Sequence, residues 1–475
     1  MNKYKNLVNN SFLFAVGNLG TKLITFFLVP IYTYYMTTKE YGIVDILTTT
    51  VSVVMPIVTL SIHESVLRFV MDKTYDKKQI LMNSIFVVII GFICLLPFYN
   101  IMVKFIPYEN GIAYFYIILL FQSLYVIFQQ YIRAEKKIKL FALSGIFYSI
   151  VLFALNIIYL IILNYGIKGY LLSLILTNFI SCLFLIFGGQ IYKDLFSVKL
   201  NIKQMKELLN FSIPLIPNAI MWWVMNLSDR YLIIHFLGLS ANGLYAVANK
   251  IPNILNMINS IFFQAWQMSA IEEYRSKDRS EFYSNTFNAF SFIMLISTSF
   301  LLILLKPILN FSVANDYYIA WMYVPFLLLG SVFASFAGFL GTNYIASKNT
   351  TGVFKTSVIG AIINILLNLL LIPKMGVNGA SFSTMVSFLV IWVLRIIDTK
   401  KFVRIRLQKT KLILSLIIIA LQIVILYIDF NLEYLVEFIL FCIQILINIK
   451  LIKGMFKRLF NLILYKVKKY IGSAV

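Results

Sequence analysis

Apolar runs of about twenty residues recur along the whole 475-residue chain, and they constrain its fold more than any other feature. A helix of that length spans the hydrocarbon core of a bilayer, at a rise of about 1.5 Å per residue. Backbone groups in lipid must bond to one another, so only helices and closed barrels cross a membrane. The runs are continuous rather than alternating, which excludes a barrel. We therefore predict an all-α polytopic membrane protein.

About fourteen runs are long enough to be transmembrane helices. They cover roughly residues 9–35, 41–63, 79–103, 112–132, 140–163, 168–190, 211–236, 242–268, 283–305, 318–345, 354–373, 378–397, 411–428 and 434–452. Lys3 and Lys5 precede the first run, as in a signal peptide, but no small-residue cleavage site follows. We therefore interpret the first run as a membrane helix.

The net charge of +22 is typical of nucleic-acid-binding proteins, but its distribution excludes such a partner. Most of the Lys and Arg residues lie in short loops on alternate sides of the runs. With the N-terminus in the cytoplasm, outward-facing segments hold few basic residues: Lys39, Lys104, Lys168, Lys306 and Lys374. Cytoplasmic loops carry such an excess of positive charge. This pattern predicts a multi-pass protein of the cytoplasmic membrane with both termini cytoplasmic.

Two short motifs occur twice, about two hundred residues apart. Glu40-Tyr41-Gly42 opens the second run and Ala241-Asn242-Gly243 the eighth, while Gly166 and Gly376 lie in equivalent turns. Six runs separate each pair, so the two halves share one orientation, as in some transporters. The predicted domains are an N-terminal six-helix lobe at 1–192, a cytoplasmic linker at 193–209, a C-terminal six-helix lobe at 210–400, and two additional helices with a basic tail at 401–475.

Three basic residues, Lys22, Arg230 and Lys250, fall inside apolar runs. A charge near the centre of a membrane helix costs about 3 kcal/mol on insertion scales, so it normally faces a cavity or a partner. Arg230 and Lys250 flank one turn, and both lie ~10–12 Å below the same membrane surface. Guanidinium binds phosphate bidentately and lysine adds a point charge, so this pair suits an anion. Pro252 interrupts the run that carries Lys250 and allows this run to bend.

The remaining candidate residues each have two interpretations. Lys22 lies near mid-membrane, facing either a cavity or a structural partner such as Asp45. Asp45 itself is either such a partner or an interfacial carboxylate. Asp229 and its neighbour Arg230 point about 100° apart on a helix, which favours separate partners. Trp222 lies too deep for an interfacial belt, and it either stacks on a sugar or packs in the protein.

Two further tryptophans, Trp266 and Trp321, fall near the ends of runs. Tryptophan is enriched at the membrane interface. We therefore expect both side chains in the interfacial belt.

Several kinds of site are absent from the sequence. There is no Gly-x4-Gly-Lys-Ser/Thr loop, which argues against ATP-driven transport by this chain. The three cysteines lie inside apolar runs, without the spacing of a metal site or a disulfide framework. No long polar loop is present that could form a catalytic domain. We predict neither an enzyme nor a bound cofactor or metal.

Several segments carry a family resemblance. They are Phe211-Ser212-Ile213-Pro214-Leu215-Ile216-Pro217, Ser228-Asp229-Arg230, Gly243 to Lys250, Gln264-Ala265-Trp266, Asn364 with Asn368, Pro373 with Gly376, Gly379 and Ala380, and Lys39-Glu40-Tyr41-Gly42. They resemble the corresponding segments of the Wzx-type polysaccharide repeat-unit flippases, which serve O-antigen, capsule or exopolysaccharide synthesis. That family belongs to the multidrug/oligosaccharidyl-lipid/polysaccharide exporter superfamily.

The resemblance implies two six-helix bundles in a V around a central cavity, with alternating access. It also implies the substrate, an undecaprenyl-diphosphate-linked oligosaccharide moved from the cytoplasmic to the outer leaflet. The expected partners are this lipid, membrane lipids, a coupling proton or sodium ion, and the polysaccharide polymerase machinery. Lys22, Arg230 and Lys250 would neutralise the diphosphate.

Two rival functions remain open on the sequence alone. A drug or cation exporter of the same fold needs cavity carboxylates, and only Asp45 and Asp229 qualify. A membrane polysaccharide polymerase or ligase usually needs a large outer loop, and none is visible between outward-facing runs.

Overall fold

A computed structural model describes residue 24 and residues 27–449, apart from 73, 109–110, 196–199, 275, 348–350 and 429. The described part is helical almost throughout, and no strand occurs in it. The all-α prediction is therefore confirmed.

The first helices run from the N-terminal side to the middle of the chain. They are α1 at 27–35, α2 Thr38–Val58, α3 Ile62–Val70, α4 Lys77–Leu95, α5 Tyr99–Phe105, α6 Gly111–Ala134, α7 Ile138–Asn156, α8 Gly166–Gly188, α9 Tyr192–Leu195, α10 Ile202–Ser212 and α11 Ile216–Leu237. The later helices are α12 Leu239–Ala248, α13 Pro252–Glu273, α14 Arg279–Ile303, α15 Leu305–Ser312, α16 Asn315–Tyr318, α17 Val324–Ala346, α18 Thr351–Met375, α19 Val377–Thr399, α20 Lys409–Tyr427 and α21 Glu433–Ile447. Short 3-10 and π segments extend or join several of them.

Within the described residues, ten helical stretches are long and apolar enough to cross a membrane. They coincide with the predicted second to sixth and ninth to thirteenth runs. The chain is thus a multi-pass membrane protein. The seventh run forms α11, the eighth is divided between α12 and α13, and the last forms α21. Most of the first run lies outside the described residues, so a total of fourteen spans remains a prediction.

Local sequence signals determine where α2 and α13 begin. The side chain of Thr37 accepts a hydrogen bond from the backbone of Glu40, whose carboxylate accepts one from the backbone of Thr37. This capping box satisfies two backbone N–H groups at the start of α2. Pro252 occupies the first position of α13, where its missing N–H costs nothing, so the eighth run breaks just before it.

The chain forms two compact units by contact. The first comprises residues up to Lys250 with 310–323 and 357–387, and the second comprises 251–309, 324–356 and the residues from Phe388 onward. The predicted lobe boundaries near residues 192, 210 and 400 stay a prediction.

In the first unit, α3, α4, α6, α8 and the linker helix α10 share an apolar core. Polar bonds attach α10 to it: Ser65 donates to the carbonyl of Leu208 at 2.7 Å, and Asn83 donates to the carbonyl of Asn201 at 3.1 Å. α10 turns Leu208 inward and leaves Ile202 exposed. The predicted linker therefore contains most of a helix, which packs against the helices that precede it.

The second unit has an aromatic core. Trp266 stacks on Phe339 with ring centroids 4.1 Å apart, and its indole N–H donates to the hydroxyl of Thr342 at 2.9 Å. The interfacial placement expected for Trp266 was wrong, because the side chain is buried among rings and its polar edge is satisfied inside the protein. Trp321, in the first unit, is buried as well. The expected interfacial placement was therefore wrong for both tryptophans.

Candidate functional site

The two copies of the first repeated motif, which end at Gly42 and at Gly243, meet in the first unit. There α2 packs against α12 at these two glycines. A Cβ on Gly42 would lie 2.0 Å from the carbonyl oxygen of Leu239, and one on Gly243 would lie 1.9 Å from that of Thr38. Each glycine thus faces the carbonyl four residues before the other, which makes the contact symmetric. Only glycine permits such an approach of two helix backbones.

An intramembrane ion pair lies beside this glycine contact. The Nε of Arg230 in α11 donates to Oδ2 of Asp45 in α2 at 2.6 Å. Asn242, next to Gly243, donates to the same oxygen at 3.2 Å and to the carbonyl of Gly42 at 3.1 Å. The Arg230 and Asp45 side chains are only 11% and 16% exposed, so each charge depends on the other for neutralisation.

Asp229 is fully buried and is satisfied in a different way from its neighbour Arg230. Its carboxylate accepts hydrogen bonds from the hydroxyl of Tyr245 at 2.7 Å, the amide of Asn368 at 2.6 Å and the hydroxyl of Thr384 at 2.5 Å. These donors come from α12, α18 and α19. Three donors stabilise a carboxylate without a cation, because each hydrogen bond to a charged group is a strong one. The two adjacent charges therefore have separate partners, as the helical geometry predicted.

Lys250 lies at the break between α12 and α13 and is partly buried. No carboxylate lies within ion-pair distance of Lys250 in the part of the chain that the structure describes. It thus differs from Arg230, whose charge is already neutralised.

The structure brings three of the six predicted site residues, Asp45, Asp229 and Arg230, into one group of helices. Lys250 follows the end of α12, one of these helices. Lys22 lies outside the described residues, so its proposed role and its pairing with Asp45 remain predictions. Trp222 lies in α11, and its side chain falls outside what the structure describes.

Sequence reasoning missed five polar residues of this site as functional candidates: Asn242, Tyr245, Asn364, Asn368 and Thr384. A signal was present, because Asn364 and Asn368 are spaced i,i+4 in a very apolar helix. That spacing puts both amides on one face. In the structure Asn368 donates to Asn364 at 3.2 Å, and Asn364 accepts from Ser228 at 3.3 Å.

Solved structures with the same fold are membrane transporters and flippases. The lipid II flippase MurJ in an inward closed conformation matches with a TM-score of 0.69 and 16% identity, over 93% of this chain and all of that one. An inward-facing MATE multidrug resistance transporter of the MOP superfamily matches with a TM-score of 0.64 and 12% identity, over 82% of this chain and 98% of that one. A Pyrococcus furiosus transporter of the same superfamily, described as having a binding pocket of reverse polarity, matches at 0.57 and 11%, over 83% and 95%.

The class that these matches define is the MOP superfamily fold, as the sequence resemblance predicted. The sequence pattern of the polysaccharide biosynthesis protein family matches residues 7–267, more than half of the chain. The chain therefore belongs to the polysaccharide biosynthesis protein family. Among curated proteins, none matches the sequence.

Proposed function

We propose that the protein is a flippase that moves an undecaprenyl-diphosphate-linked oligosaccharide from the cytoplasmic to the outer leaflet of the cytoplasmic membrane. Family membership supports a place in polysaccharide synthesis, and the fold is shared with MurJ, itself a lipid II flippase. Alternating access would carry the sugar and diphosphate through the protein while the prenyl chain stays in lipid. The flipped unit would then pass to the polymerase machinery.

The observation that carries this proposal is the state of Lys250. A partly buried ammonium without a carboxylate partner in the described residues is unfavourable unless something negative reaches it. A diphosphate supplies that charge, and the adjacent helix break at residues 249–251 gives the lysine room to move. Lys250 is therefore the residue that we assign to the diphosphate.

Arg230 would contribute in a second, conditional way. In this conformation Asp45 already neutralises it at 2.6 Å. Because the pair joins α11 to α2, separation of these helices during transport would release the guanidinium for the substrate. Arg230 would then bind the diphosphate only in the conformation in which its bond to Asp45 is broken.

The same charges disfavour an exporter of cationic drugs. In the site described above, Asp45 is paired with Arg230 and Asp229 is saturated by three donors. Neither carboxylate is available to a cation without breaking a strong contact, whereas Lys250 is available to an anion. An anionic substrate is therefore the better fit.

The direct test replaces Lys250 with Gln and with Arg in cells that depend on this chain for surface polysaccharide. We expect Lys250→Gln to reduce surface polymer at least about tenfold, since one charge-assisted contact is worth roughly 1.5–3 kcal/mol. Lys250→Arg should retain most of it. Lys203→Gln, at an exposed lysine of α10, is the control. Normal polymer from Lys250→Gln at equal protein levels would remove this lysine from the mechanism.

Coupling to a proton or a sodium ion would act through Asp229, and binding of either ion would displace one of the three donors that hold this carboxylate in the described conformation. Around this carboxylate lie the hydroxyls of Tyr245 and Thr384, and the side-chain oxygen of Asn368 is buried without a hydrogen-bond partner among the described residues. Such oxygens are ligands for hard cations. Asp229→Asn should abolish ion-driven uptake of the lipid-linked sugar into proteoliposomes. Imposing sodium and proton gradients separately on the wild-type protein would identify the ion, and unaltered gradient dependence in Asp229→Asn would exclude this carboxylate.

A further inference from the structure

The last described helix, α21, has a buried polar face in the second unit. Four side chains share that face, at spacings of four, seven and four residues: Glu433, Glu437, Gln444 and Asn448. The opposite face exposes large apolar residues such as Leu435, Phe438 and Ile439. α21 packs its polar side against α14 and α20. Buried polar groups in a membrane helix are costly, and they usually mark a functional path.

The first carboxylate of this face is neutralised. The Nζ of Lys306 lies 2.6 Å from Oε2 of Glu433, and both side chains are nearly buried. This ion pair lies where α14 has ended and α21 begins. The ion pair neutralises one of the two carboxylates of the polar face, and Glu437 is the other.

Glu437 lies one helical turn further along and is completely buried. Its Oε2 accepts a hydrogen bond from the amide of Gln422 in α20 at 2.8 Å, while its Oε1 has no partner among the described residues. The other side of that amide accepts from Ser299 in α14 at 2.7 Å. Both groups are neutral, and the charged groups that face Glu437 are Glu433 and Lys306, which neutralise each other.

We propose that Glu437 is a proton-binding site, with the proton on Oε1 and the bond from Gln422 retained on Oε2. An ionised Glu437 would leave one charge uncompensated among neutral groups inside the membrane, and protonation removes it. A metal ion fits less well, because Gln422 turns its N–H rather than its oxygen toward the carboxyl. The site goes beyond the proposed transport of lipid-linked sugar and does not depend on it.

Two more polar residues lie on the same face of α21 toward its other end, which is the side from which the proposed proton would exchange. Among the described residues, neither amide atom of the buried Gln444 is hydrogen-bonded, and Asn448 contacts the hydroxyl of Ser415 at 3.5 Å. Asn448 and Ser415 also line a small open pocket with Gln408 and Lys411. Water in this pocket would supply the proton.

Infrared difference spectroscopy of the purified full-length protein tests the site without any substrate. Above about pH 5, exposed carboxyls are ionised and their C=O stretching band is gone. We expect the wild-type protein to keep such a band above that pH and to lose it reversibly under alkaline conditions. Glu437→Gln should lose the share of the band that Glu437 contributes and keep at most that of Asp229, whereas Glu281→Gln, at an exposed glutamate of α14, should leave the band unchanged.

Three outcomes would overturn the proposal. The first is a wild-type protein without a protonated carboxyl above that pH, a result that does not depend on the folding of any variant. The second is a band of unchanged intensity in Glu437→Gln, which would place the proton elsewhere. The third is a band removed by added sodium chloride at constant pH, which would assign the carboxyl to a metal cation. Loss of sugar transport in the Lys250 variants would leave all three results unaffected.

Discussion

At the scale of single residues, the pairing of Arg230 with Asp45 is the contact most open to measurement. We expect Asp45→Asn to lower the free energy of unfolding by about 2 kcal/mol, between the roughly 0–1 kcal/mol of an exposed pair and the roughly 3–5 kcal/mol of a fully buried one. The reason is that the nearly buried guanidinium would lose its counter-charge. Thermal unfolding in detergent, followed by tryptophan fluorescence, measures the loss.

A double-mutant cycle separates this pairing from general damage at the site. Adding Arg230→Gln to Asp45→Asn should recover part of the stability, with a coupling energy of about 1–3 kcal/mol. Asp278→Asn, at an exposed aspartate before α14, should change stability by no more than about 0.5 kcal/mol. Strictly additive effects of the two substitutions would mean that the 2.6 Å contact contributes nothing to stability.

The sequence was informative about which charged residues lie close together and less so about their contacts. Asp45, Asp229 and Arg230 stand out because charges are rare in apolar runs, and all three lie in one group of helices. The partner of Arg230 lies 185 residues away in the chain, so the pairing depends on the register between α2 and α11. No local pattern encodes that register. Neutral donors such as Thr384 give no composition signal at all.

At the scale of helices, the packing of α2 on α12 predicts that a larger side chain at position 243 destabilises the protein. Gly243→Ala should destabilise the protein by about 1–3 kcal/mol, as overpacking of a close contact does, because the new Cβ would overlap the carbonyl of Thr38. Gly243→Leu should prevent the two helices from meeting. The measurement is thermal stability together with the yield of monodisperse protein in detergent.

The matched control lies on the same helix. Ser240 is exposed on α12, so Ser240→Ala should change stability by no more than about 0.5 kcal/mol. If Gly243→Leu were as stable as the wild-type protein, the close approach of these backbones would not be required for folding. The symmetric contact would then describe only one of several acceptable arrangements.

The helices themselves were largely predictable, because a membrane requires long apolar segments whose backbone bonds are all internal. Ten described spans agree with predicted runs to within a few residues at most ends. The eighth run was predicted as one helix that Pro252 allows to bend. It breaks instead into α12 and α13, and the turn at residues 249–251 carries Lys250. Hydropathy does not register such a break, because the flanking residues remain apolar.

At the scale of the whole molecule, the basic residues fall into two groups that differ in burial and in pairing. Most described lysines and arginines of the loops are exposed and follow the asymmetry expected of a membrane topology. Cations inside the described helical units are matched to acceptors, as Arg230 is to Asp45 and Lys306 is to Glu433. Lys250 departs from both patterns, and this is why the proposed function depends on it. The proposed function also requires that the basic loops face the cytoplasm, where the substrate is made.

Cysteine labelling in cells tests that orientation. The chain is first freed of its own thiols at Cys94, Cys182 and Cys442. Single cysteines are then introduced at four exposed basic positions of the loops and helix ends: Lys39, Lys203, Lys374 and Arg404. A membrane-impermeant maleimide should label the cysteines at 39 and 374 in intact cells, since these segments are predicted to face outward. It should label those at 203 and 404 only after permeabilisation, because an excess of Lys and Arg keeps such loops in the cytoplasm. Labelling of position 203 in intact cells would show that the topology is the reverse of the predicted one. A flippase that collects its substrate from the cytoplasmic leaflet would then have to present the opposite ends of α2 and α12 to that substrate.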